Sequence, residues 1–141
     1  MQMRHLLACI VVAALFAGGC DAGSPTTGEF ALSHFAVEGI VTNSQTGSPV
    51  SGTSVTAKIH DTACPSPHIT LFELQTGNDG TFEDVLEFLE LPSGTACVTF
   101  EVAPPPSTNL HSTTVIVPDV TVVRSTTPPD TIRVSIMLEP N

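Results

Sequence analysis

The sequence predicts an all-β domain, an antiparallel seven-stranded Greek-key sandwich, and three observations carry that expectation. Valine, isoleucine and threonine are abundant, and no alanine- or leucine-rich helical stretch follows the N-terminal segment. Short segments alternate apolar and polar residues with a period of two. Clusters of Gly, Pro, Asn, Asp and Ser separate those segments, at the spacing of short strands joined by turns.

Each element follows in order. Phe35, Val37, Gly39 and Val41 alternate with Ala36, Glu38, Ile40 and Thr42, which predicts a first strand. Residues 43–52 are turn-rich around Thr46-Gly47-Ser48-Pro49. A second strand points Val55, Ala57 and Ile59 one way and Thr56, Lys58 and His60 the other. Residues 61–67 form a proline-bearing loop containing Cys64, and residues 69–75 a third strand.

Thr76-Gly77-Asn78-Asp79-Gly80 has the composition of a tight turn. Residues 81–91 alternate less cleanly, and 83–90 also fits an acidic helical turn. After the turn Leu91-Pro92-Ser93-Gly94, Ala96, Val98, Phe100 and Val102 give the cleanest strand, ended by Pro104-Pro105-Pro106. Residues 115–123, interrupted by Pro118, read as a kinked or edge strand. Ile132, Val134, Ile136 and Leu138 face inward in the last one.

Two stretches carry a family resemblance. Glu38-Gly39-Ile40-Val41-Thr42, Thr46-Gly47-Ser48-Pro49-Val50-Ser51-Gly52 and Val55 form the first. Thr76-Gly77-Asn78-Asp79-Gly80-Thr81-Phe82, Leu91-Pro92-Ser93-Gly94 and Val98 form the second. Together they resemble the carboxypeptidase regulatory-like domain over about residues 35–103. Ala96 departs from that pattern, where the family usually has tyrosine, and so does the longer 83–90 segment. The resemblance implies a transthyretin-like sandwich and a module that is usually non-catalytic.

The first twenty residues have a different character. Arg4 and His5 precede an apolar run from Leu6 to Phe16, followed by Ala17-Gly18-Gly19-Cys20. A basic start, a short apolar stretch and small residues read as an export signal, too short for a permanent membrane span. The Gly-Cys ending resembles a bacterial lipoprotein signal, which implies lipidation of Cys20. The expected organisation is a signal peptide at 1–19, a lipidated Cys20 with a flexible tether over 20–33, and the sandwich domain over 34–141. An ordinary secretory signal cut between residues 17 and 24 is the alternative.

Cysteine arithmetic favours lipidation. Cys9 leaves with the signal, and Cys20, Cys64 and Cys97 remain, an odd number in an oxidising compartment. Lipidating Cys20 leaves one pair, and a Cys64–Cys97 disulfide would pin the 61–67 loop against the outer side of a sheet. The His60, Cys64, His68 and Cys97 spacing leaves a Cys2His2 zinc site as the alternative.

Composition removes whole classes of partner. After residue 19 the chain has three basic residues, Lys58, Arg124 and Arg133, against fourteen acidic ones. Nucleic acid and anionic headgroups would repel it. Asn78, Asp79, Gly80, Glu83 and Asp84 could offer oxygen ligands to calcium, but no full calcium loop is spelled out. Glu83, Glu87 and Glu90 could supply paired carboxylates, and no Gly-x-Ser-x-Gly nucleophile pattern occurs.

The expectation is therefore a non-catalytic protein without cofactor or metal. It would be anchored in the bacterial envelope through acylated Cys20, with a sandwich that serves structure or contacts with envelope proteins. A carbohydrate-binding module is the alternative, weakened because the chain has no Trp or Tyr to stack on a sugar.

Overall fold

The computed structural model describes residues 32–61, 63–88, 94–124 and 131–141. The expected signal segment, Cys20, the tether through residue 31, Glu90 and the Leu91-Pro92-Ser93 turn lie outside those residues. The described chain is all-β with seven strands and no helix. They are β1 (Ser33–Asn43), β2 (Ser54–Asp61), β3 (His68–Gln75), β4 (Thr81–Phe88), β5 (Gly94–Ala103), β6 (Thr113–Arg124) and β7 (Thr131–Leu138).

The strands make a sandwich of two sheets, ordered β3-β2-β5-β6 and β4-β1-β7. The sheets join at one corner, where Ser33 and His34 of β1 pair with Arg124 and Val123 of β6. All pairings are antiparallel except β1 with β7, which runs parallel from Ala36 opposite Thr131 to Asn43 opposite Leu138. Turn composition reports pairing between neighbours in sequence, so this closure between the first and last strands was not readable from the turns.

Alternation decides which face each strand buries. Val55, Ala57 and Ile59 of β2 and Ala96, Val98, Phe100 and Val102 of β5 are buried. Phe35, Val37 and Val41 of β1 and Val134, Ile136 and Leu138 of β7 oppose them from the other sheet in one continuous core. Rings cross between the sheets, with Phe72 of β3 6.5 Å from Phe88 of β4, and Phe82 of β4 6.3 Å from Phe100 of β5. Burying each large side chain contributes about 1.5–3 kcal/mol, so this stripe supplies most of the drive to fold.

Two ambiguous segments resolve as strands. Residues 81–88 pair with β1 along their whole length, from Ile40 opposite Thr81 to Ser33 opposite Phe88. Phe82, Leu86 and Phe88 are buried while Glu83, Val85 and Glu87 are exposed. The helical alternative fails because the neighbouring strand rewards the two-residue period. In β6 the strand continues past Pro118 through a bulge. Ala96 pairs with Val120 but Val98 with Val117, so Pro118 and Asp119 together oppose Cys97. Asp119 takes φ 55°, a left-handed conformation that aspartate tolerates better than most residues.

The sandwich has two ends. At the entry pole β1, β3, β5 and β7 begin and β2, β4 and β6 end. At the turn pole lie the 44–53, 76–80 and 104–112 connections and the chain from 139 on. Thr76 is the hub of the turn pole. Its hydroxyl donates to the Val50 carbonyl (2.8 Å) and accepts from the Thr53 amide (2.9 Å), and both threonines are buried. Gly80, at φ 72°, lies so close to this junction that a Cβ would sit 2.6 Å from the Val41 carbonyl oxygen. Residues 139–141 then bond to 109–111, as His111 N donates to Glu139 O and Asn141 N to Asn109 O.

Candidate functional site

The residues singled out as a possible metal or cross-link centre gather at the entry pole. Outward-facing His60, near the end of β2, stands opposite Cys97 on β5 and His68 on β3. A register shift between Ile59 and His60 brings His68 into that row. The His60 and His68 rings lie 6.4 Å apart, edge to face.

Cys64 and Cys97 form a disulfide, with an S–S distance of 2.04 Å and Cα atoms 5.8 Å apart. Cys97 shares the outward side of β5 with Thr99, so the bridge ties the loop after β2 over the outer side of the sheet. His60 provides a second tie. Its Nδ1 donates to the Ser66 carbonyl (2.7 Å), since a carbonyl can only accept, which leaves Nε2 to accept from the Thr99 hydroxyl (2.9 Å). Both ring nitrogens of His60 are thus hydrogen-bonded and both sulfurs are bonded to each other, so three of the four residues of the proposed zinc set anchor the loop instead. Ser66 and Thr99 were not among the sequence candidates. Thr99 is legible as an outward residue of the cleanest strand, whereas nothing local marks Ser66.

The acidic candidates lie elsewhere. Glu38 and Glu83 stand directly opposite on the outer side of β1 and β4. Arg133 of β7 donates from Nε to Glu38 Oε2 at 3.1 Å. Glu83 and Glu87 would share a helix face, but in a strand four residues place them roughly 13 Å apart, too far to act as one carboxylate pair. At the 76–80 turn, Asp79 Oδ1 accepts from both the hydroxyl (2.6 Å) and the amide (3.1 Å) of Thr81. These bonds hold its carboxyl below the usual aspartate range, the hydroxyl having the larger influence. Asp84 Oδ1 turns back to the Val85 amide. Among the described residues no group of three or more His, Cys, Asp or Glu is placed to hold a metal ion.

Aromatic surface follows the same logic. Phe35, Phe82, Phe88 and Phe100 are buried and Phe72 is half-buried against the core. No described phenylalanine offers an open ring face.

No family model matches this sequence, and no curated protein does. Solved structures do resemble it. Chlorocatechol 1,2-dioxygenase from Pseudomonas putida matches with a TM-score of 0.52 at 14% identity, covering 77% of this chain and 61% of that one. The dioxygenase domain of a dioxygenase carbohydrate-binding protein fusion from Streptomyces sp. SirexAA-E matches with a TM-score of 0.46 at 17% identity, covering 74% and 79%. The chain therefore spans about 61% of the length of the first.

This corrects the expectation that the chain is not an enzyme. That expectation rested on a sandwich of a usually non-catalytic kind, and the dioxygenase likeness shows such a sandwich inside an enzyme. A sandwich is a scaffold whose chemistry depends on what its loops and faces carry. At this identity the likeness concerns the fold alone and brings neither reaction nor substrate to this chain.

Proposed function

We propose that this chain is a lipid-anchored protein of the bacterial envelope whose sandwich, of the carboxypeptidase regulatory-like type, serves as a structural or protein-contact module. The Cys64–Cys97 disulfide is the observation that carries the reading. A structural disulfide fits an exported protein, and it leaves Cys20 as the odd cysteine in the count after the apolar run. Lipidation consumes that thiol. Two or three acyl chains at one residue hold a protein durably, at about 0.8 kcal/mol for each buried methylene.

The geometry of the resemblance adds support. Its two halves meet: Gly39 of the first lies opposite Phe82 of the second, and Gly80 packs on Val41 and Pro49. A protein-contact role is preferred to sugar binding because the described phenylalanines, which could otherwise stack on a pyranose, pack in or against the core.

Intact-mass analysis of the N-terminal peptide from the membrane fraction tests the anchor. The expected peptide begins at Cys20 and carries acyl additions, and Cys20→Ala moves the protein out of the membrane fraction. An unmodified amino terminus overturns the proposal.

A further inference from the structure

Two flat sheets leave unpaired strand edges, which invite pairing with another chain unless something blocks them. Two of the edges here are blocked. β3 carries Glu73 and, near its start, the register shift opposite His60. β4 carries Glu83, Asp84 and Glu87, and Asp84, in phase with the buried Phe82 and Leu86, is an inward-parity charge left exposed at the edge.

β7 has no such protection. Among the described residues it pairs only with β1, so its other edge is open from Thr131 to Leu138. It contains no proline, no glycine and no bulge. It is also the one strand without a carboxylate, in a chain of formal charge −10 whose only charge on this strand is Arg133. Met137, 66% exposed, stands on its outer side as the most exposed large apolar residue described.

We propose that this edge pairs with the β7 edge of a second copy, in antiparallel register, to make a continuous sheet β4-β1-β7-β7-β1-β4. Charge selects the edge and the occupant. Two β4 edges would set Glu83, Asp84 and Glu87 against their own copies, whereas two β7 edges meet without a carboxylate on either strand. The strand is also self-complementary. With Val134 opposite its own copy, Ile132 faces Ile136, so the apolar residues of both copies stay on the core side. Arg133 then lies beside Ser135 of the second copy and not against the other Arg133. The proposal stands on this edge and does not depend on the lipid anchor.

Sedimentation equilibrium of the full-length chain, at about 0.1 mM, tests it. The expected mass is twice that of one chain. Ser135→Arg with Met137→Arg, both exposed positions that leave the core untouched, weakens association by about tenfold or more, because the new cations stand directly and diagonally across the edge from Arg133 of the second copy. Val85→Glu on β4 leaves it unchanged. Circular dichroism confirms that each variant is folded. A single-chain mass for the parent overturns the proposal, and so does a dimer that survives the β7 changes or is lost with Val85→Glu.

Discussion

The two poles of the sandwich are held by different kinds of bond. At the entry pole a disulfide and one histidine fasten the loop after β2. Among the described residues, its one backbone hydrogen bond outside the strands runs from Ala63 N to Asp61 O. At the turn pole no covalent tie is needed. Backbone bonds link 41 to 80, 50 to 41, 52 to 76, 76 to 53 and 111 to 139, and buried threonine hydroxyls fill the gaps. The entry pole therefore depends on redox conditions, and the turn pole depends on small residues at fixed places.

Reduction should separate the poles most strongly. The Cys64–Cys97 bridge spans 33 residues, for which loop-closure entropy gives about 3–4 kcal/mol. Cys64→Ser with Cys97→Ser is expected to lower unfolding free energy by about that amount in urea titration, with fast amide exchange confined first to residues 63–67 and 94–97. Uniform acceleration at both poles would show that the comparison is wrong and the sandwich is one cooperative unit.

The next effect belongs to the turn pole. Gly39 and Phe82 are opposed across β1 and β4, and the ring covers the bare glycine so closely that a Cβ would lie 2.1 Å from the Phe82 Cζ. Gly39→Ala drives that methyl into a ring 4% exposed, and the overpacking should cost about 1–3 kcal/mol. Phe82→Leu vacates the space, so the double variant should lose less than the two single losses together. Strict additivity would mean that ring and glycine are independent.

Much of this contrast was legible in the chain. The turn pole is spelled in Gly, Pro and Thr at close spacing, which is why the strands and the 46–52 and 76–80 turns were readable in order. The Cys64–Cys97 pair followed from the cysteine count, with a zinc site as its alternative, and the face it pins followed from Cys97 sharing a side with Thr99. What escaped is non-local. Parallel pairing of β1 with β7 joins segments near opposite ends of the chain, and no local period records it. The bulge at Pro118 and Asp119 shows only in the pairing with β5, where both residues stand opposite Cys97, and the strand character of 81–88 comes from β1. Catalysis is a separate matter, since the dioxygenase likeness removes the inference from fold to inactivity without supplying a site.

The smallest predicted effect sharpens the turn pole by pH. Asp79 is fully exposed, and its carboxylate is favoured by the Thr81 hydroxyl first and the Thr81 amide second. A carboxyl whose folded pKa lies below its unfolded value adds stability above the unfolded pKa and loses it as pH falls through the folded one. The turn should therefore loosen only on the acid side, below the ordinary aspartate value of 3.8. Thr81→Val removes the stronger donor and keeps the amide, so the Asp79 titration midpoint read by carboxyl-carbon NMR should move up toward that value. An unchanged midpoint would mean that the hydroxyl does not hold the carboxylate, and the turn pole would then owe its order to backbone bonds alone.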